Sequence, residues 1–152
     1  NKTVNILILQ RKIMYTGLTH AHSGWRWIVL ILILTAILQA LLQPGKKTKL
    51  PLFAMIATHL QLVIGIILYF ISPKVLFAAE TMKVALNRFY TVEHTTLMLL
   101  AVVLITLGYG KWKRADTAEN GSKKVLTYYL IGLVLILAGI PWPFRNLGAG
   151  WF

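Results

Sequence analysis

Apolar residues crowd into four stretches of this chain, 15–42, 52–72, 89–108 and 125–140, and most charged residues fall between them. Each stretch is near the ~20 residues that carry a helix across a ~30 Å hydrocarbon layer. The fourth is the shortest. Lys123 and Lys124 can extend it, because their apolar stems lie against lipid while the ammonium groups reach the headgroups. Local signals agree with helices at these places. Pro44-Gly45 predicts a turn after the first span, Ser72-Pro73 ends the second, Gly121-Ser122 offers a cap before the fourth, and Pro141 and Pro143 stop it. Between the second and third spans, Val75, Leu76, Ala79 and Met82 share one side of a predicted amphipathic helix over 74–86 that would lie flat on the membrane. The expected fold class is all-α: an integral membrane four-helix bundle with a short interfacial helix, forming a single domain over 14–152. Residues 1–13 read as a leader or N-terminal extension. Asn1 is not an initiator, Met14 stands at the head of the first span, and 6–9 is too short for the ~7–15-residue core of a signal peptide.

Composition removes the soluble alternative. At 57% hydrophobic and a mean hydropathy of +0.69, the chain has too little polar surface to cover a water-soluble globule. The formal charge of +12 would suggest nucleic acid in a soluble protein. Here the cations sit in loops between spans, where anionic lipid and topology account for them, so nucleic acid is not expected as a partner. The absence of cysteine excludes disulfides, iron–sulfur clusters, thiolate zinc sites and covalently attached c-type haem. Trp25, Trp27, Trp142, Phe144, Trp151 and Phe152 gather at the outer boundary, where amphipathic rings favour the headgroup region.

Chemistry must come from the polar residues within the spans: His20, His22 and Arg26 on the first, Thr58, His59 and Gln61 on the second, and Arg88, Glu93 and His94 on the third. Ionisable groups at membrane depth are costly enough to suggest function. His20 and His22 point about 200° apart on a helix, so only one can face an interior site. Counted along their helices at ~1.5 Å per residue, His22 and His94 lie at one depth from the outer face, as two axial ligands of a haem must. His20 meets the same depth test. His59 lies about 10 Å deeper and suits a quinone headgroup or an interhelical hydrogen bond. Gln61 points to another face and reads as structural. Arg26, four residues beyond His22, could neutralise a haem propionate. Glu93 is the one carboxylate within a span; it could pair with Arg26 or Arg88, orient an imidazole or relay protons. Two further readings stay open. Histidines also serve as helix-to-helix hydrogen-bonding groups worth about 0.6–2 kcal/mol, and His20, His22, Glu93 and His94 include acceptable ligands for zinc or copper.

The strings His20-Ala-His-Ser-Gly-Trp-Arg-Trp, Thr58-His-Leu-Gln-Leu, Tyr69-Phe-Ile-Ser-Pro, Arg88-Phe, Val92-Glu-His94 and Ile140-Pro-Trp-Pro resemble those of small four-helix bacterial membrane proteins labelled cytochrome b. That resemblance spans about 14–143. It implies haem b, electron transfer linked to quinol, the bacterial inner membrane, and partner subunits of a respiratory-type complex. In span number the chain is also loosely similar to the small di-haem quinol-oxidising cytochromes b. It departs from them by having no histidine on the fourth span and by the depth of His59, which speaks against two haems.

The first and third loops carry Lys46, Lys47, Lys49, Lys111, Lys113, Arg114, Lys123 and Lys124, and the opposite face holds Arg26, Lys74, Lys83, Arg88 and Arg145. Eight cations against five place those loops in the cytoplasm and both termini outside, on the periplasmic face. A cysteine introduced at Lys47 is therefore expected to resist an impermeant thiol reagent in intact cells, and its labelling would invert the topology.

Overall fold

The computed structural model describes residues 2–151, without the Thr3 side chain. Phe152 of the aromatic boundary set lies outside the described residues. Those residues are helical with no strand, and four helices are long and apolar enough to cross a membrane. Helix one runs Lys2–Leu42, helix two Leu50–Ile71, helix three Ala85–Lys113 and helix four Ala118–Gly139. They alternate in direction and close a ring in the order one, two, three, four, with three and four sharing the largest interface.

Helix one contains the expected span and also most of the expected leader. At ~1.5 Å per residue its 41 residues run about 60 Å. The described side chains of 2–14 are exposed, and Tyr15, hydrogen-bonded to Ser72 at 3.3 Å, is the first to meet another helix. Pro44 and Gly45 make the expected turn, closed by Lys46 N–H to the Gln43 carbonyl at 3.1 Å, with Gly45 at φ +85°. That positive φ is what glycine supplies.

Helix four begins earlier than the sequence suggests. Thr117 is its N-cap and accepts from Asn120 N–H at 3.1 Å, while Gly121 and Ser122 lie buried inside the helix. Ser122 instead receives Gly45 N–H at 3.0 Å, tying the first loop to helix four. The Asn120 amide and then the Thr117 N–H hold the Asp116 carboxyl below its ordinary range. The expected interfacial helix over 74–86 is replaced by a loop with a single 3₁₀ turn, Ala79–Met82. Hydrogen bonds explain the change. Thr91 Oγ1 receives Leu76 N–H at 3.1 Å, Asn87 donates to the Lys74 carbonyl at 3.1 Å, and buried Thr81 donates to the Leu76 carbonyl. The first two bonds hold the backbone to helix three and the third folds the loop on itself, which leaves no continuous helical ladder.

The core mixes small residues with a few large ones. Ile33, Ala36, Ala54, Ala101, Ile105 and Tyr129 are fully buried, while Ile31, Leu34, Leu60, Val63, Val103 and Val134 point outward. An apolar exterior is what a lipid-facing surface requires. Helices three and four approach through Gly108, Gly132 and Gly139. A Cβ on Gly108 would stand 2.6 Å from Tyr128 Cβ, and one on Gly132 3.0 Å from Ile105. Nothing lies within 4 Å of a Cβ on Gly17. Gly108→Ala is thus expected to destabilise the bundle by about 2 kcal/mol, read as a lowered melting temperature in detergent, and Gly17→Ala to leave it unchanged or slightly raised.

Candidate functional site

A polar cluster lies near the end of the bundle where helix one passes the end of helix two. His22 from helix one and His94 from helix three meet with ring centres 6.2 Å apart and planes at 72°. His94 Nδ1 lies 2.8 Å from the Gly139 carbonyl, so Nδ1 carries the proton and Nε2 is the basic nitrogen. The sequence four residues on explains this partner. Residue 143 is proline, which has no N–H to continue the helical ladder, and the Gly139 carbonyl would otherwise lack a donor. Pro141 creates the same gap for the Leu137 carbonyl, which takes Trp142 Nε1 at 2.9 Å. Arg145 closes the series by donating to the Ala138 and Ile140 carbonyls at 2.9 and 3.2 Å.

Helix two supports His22 from the other side. Gln61 donates to the His22 carbonyl at 2.9 Å, so it belongs to the cluster despite the expectation that it faces elsewhere. Gly65 makes room for the imidazole, since a Cβ there would stand 3.2 Å from His22 Cε1. Nearby, Trp25 Nε1 donates to the Ala57 carbonyl at 3.0 Å.

A turn of π-helix, Phe89–Glu93, sets the phase of helix three. Residues five apart on an ideal α-helix point about 140° away from each other. The π turn, with i→i+5 bonding, brings them much closer to one face. Arg88 Nε and Glu93 Oε1 consequently meet at 2.8 Å. Of the two arginines the sequence offered to Glu93, it takes Arg88. Arg88 and Glu93 are both partly exposed, which limits the pair to about 1 kcal/mol or less.

Arg26 is left without a carboxylate. It is 8% exposed, donates to the Trp151 carbonyl at 2.7 Å and lies over the Trp27 and Trp142 rings at 5.3 and 5.8 Å. Trp151 belongs to a C-terminal strap that the sequence did not reveal. Tyr90 donates to the Leu147 carbonyl at 3.1 Å and Lys74 to the Gly148 carbonyl at 2.7 Å. Backbone carbonyls thus receive every one of these side chains, and a carbonyl carries no residue-specific signal in a sequence.

Three buried side-chain atoms among the described residues have no hydrogen-bond partner: His22 Nδ1, Arg26 Nε and Gln61 Oε1. All belong to this cluster. Buried polar atoms are nearly always paired, so their concentration here singles out this cluster as the candidate site.

The other candidates lie apart. His20 is exposed and does not join His94. His59 donates from Nδ1 to the Met55 carbonyl at 2.8 Å, and its Nε2 faces the Thr106 hydroxyl at 3.4 Å in a groove with Leu60 and Val63. Among the described residues no three His, Asp or Glu side chains gather closely enough to hold a metal ion unaided. The set His20, His22, Glu93 and His94 is therefore not a zinc or copper cage here, because His20 faces outward and Glu93 is turned to Arg88.

No family model matches the chain, and no curated protein or solved structure matches it. The site therefore stands on its own geometry.

Arg26→Leu removes the shorter of the two side-chain hydrogen bonds to the Trp151 carbonyl, leaving Trp27 Nε1 at 3.2 Å, and should loosen the strap. A nitroxide at Ala149 is expected to change from an immobile to a mobile line shape; an unchanged spectrum would show that the Trp27, Tyr90 and Lys74 hydrogen bonds suffice to hold the segment.

Proposed function

We propose that this chain is a membrane-embedded b-type haem protein that carries electrons, with His22 and His94 as the residues that would hold the haem. The observation that carries the reading is the 6.2 Å between the two imidazole centres. Two imidazoles brought together from different helices are the side chains that would hold a haem iron. The resident nitrogens suit the task. Gly139 accepts the His94 Nδ1 proton, which fixes the tautomer and ring orientation as metal-bound histidines require. Arg26, buried with an unpartnered Nε, would neutralise a propionate. Haem bound there would supply one-electron chemistry through its iron. The chain's residues would hold the ring, keep water out and anchor the carboxylates.

In this reading the protein sits in a bacterial inner membrane with both termini on the periplasmic face and serves a quinol-linked respiratory chain beside other membrane subunits. His59 suits quinol. Its Nε2 accepts in an apolar groove, and a quinol hydroxyl is a donor soluble in hydrocarbon.

A second reading, a cofactor-free subunit of a larger membrane complex, is favoured by a separate set of contacts. His94 to Gly139, Gln61 to His22, Trp25 to Ala57 and Tyr129 to Pro51 link all four helices through hydrogen bonds of 2.7–3.0 Å. Such bonds are sufficient reason for buried polar groups in a membrane.

A dithionite-reduced minus oxidised spectrum, with a pyridine haemochrome assay, separates the two. The haem reading expects a b-type α-band and about one haem per chain. His94→Asn keeps a donor for Gly139 while removing the ligating nitrogen, so it should lose the band and retain the fold. A flat spectrum from folded wild-type protein would leave the structural reading.

A further inference from the structure

The opposite end of the bundle holds a second polar feature, unrelated to the histidines. Between the end of helix three and the start of helix four lies a hollow of about 540 Å³ lined by Lys111, Arg114, Asp116, Asn120, Lys123 and Lys124. We propose that this hollow binds the phosphate headgroup of an anionic phospholipid.

The charge balance favours an anion. Lys123 pairs with Glu119 at 3.2 Å. Asp116 spends Oδ1 on Thr117 N–H and the Asn120 amide, both at 2.9 Å. Among the described residues Lys111, Arg114 and Lys124 form no ion pair, so a net positive charge faces the hollow. Lys46, Lys47 and Lys49 lie on the neighbouring loop, which the Gly45 to Ser122 bond holds against helix four, and they reinforce the potential.

The position of the cations favours a lipid over a free ion. Lys111 precedes the end of helix three at Lys113. Lys123 and Lys124 lie five and six residues into helix four, about 8 Å along it. They therefore project from the flanks of the spans rather than from the loop tip, where a topology signal alone would suffice. Helical spacing then continues the same faces toward the bilayer centre. Leu107 and Val103 lie four and eight residues before Lys111, and Leu130 and Ile131 lie seven beyond Lys123 and Lys124. All four are 46–53% exposed. A basic hollow above an apolar track fits a headgroup with its acyl chains. Basic pockets between membrane helices recognise anionic lipids in this way.

The test uses the full-length protein in phosphatidylcholine–detergent micelles, titrated with phosphatidylglycerol and read by native mass spectrometry as lipid retained. Wild type should retain phosphatidylglycerol in preference to phosphatidylcholine. Each juxtamembrane cation is worth roughly a factor of five, so Lys124→Gln should weaken retention about fivefold. Lys111→Gln, Lys123→Gln and Lys124→Gln together should weaken it on the order of a hundredfold. A control replacing Lys46, Lys47 and Lys49 by glutamine removes the same charge and should keep most of the affinity. Circular dichroism in phosphatidylcholine confirms that each variant is folded. Equal weakening in both triple variants would reduce the site to diffuse surface charge and overturn the proposal. So would a lack of preference for phosphatidylglycerol, or its displacement by millimolar inorganic phosphate.

Discussion

A buried backbone carbonyl that has lost its helical partner must find another donor, and the arrangement around Gly139 follows from that constraint. Pro141 and Pro143 end helix four sharply, but each also withdraws the N–H that would have bonded a carbonyl four residues earlier. Trp142 and His94 replace those donors, at 2.9 and 2.8 Å. The His94 contact reaches across from another helix, so it fixes the rotation of helix three against helix four. It depends on the close approach that Gly132 and Gly139 allow, and in turn it holds that approach in register.

The π turn is the second element on which the site depends. One extra residue within Phe89–Glu93 rephases helix three, so that Glu93 faces Arg88 while His94 faces the bundle interior. The ion pair at the partly exposed side and the imidazole at the buried side are thus consequences of one local irregularity. Irregular turns of this kind recur at functional sites because they re-aim side chains without breaking the helix. Arg26 shows the complementary case. With Glu93 engaged elsewhere, its guanidinium is met by a carbonyl and two indole faces, which accommodate a cation without neutralising it.

The two ends of the molecule are built for different surroundings. At the histidine end, tryptophans, proline-terminated helices and a strap of backbone carbonyls enclose the polar cluster. At the other end, lysines flank the helices and the Thr117 cap organises the loop. Between them Ala36, Ala54, Ala101 and Gly132 let the helices pack around buried Ile33, Ile105 and Tyr129, while many other large aliphatic side chains face outward.

The sequence by itself determined four apolar helices, the turn at Pro44-Gly45, the stop at Pro141, and the depth match of His22 and His94. These follow from composition, proline and glycine chemistry, and the fixed rise of a helix, all of which act along the chain. It misplaced the cap of helix four and drew a helix over 74–86. Ser122 and Thr91 give their side chains to distant backbone, and such bonds leave no periodicity. Only the tertiary structure decided that His22 rather than His20 meets His94, that Glu93 takes Arg88, and that the last residues fold over Arg26. Each of those outcomes depends on helix rotation, and rotation is set by glycine contacts and carbonyl partners that exist only once the helices have packed.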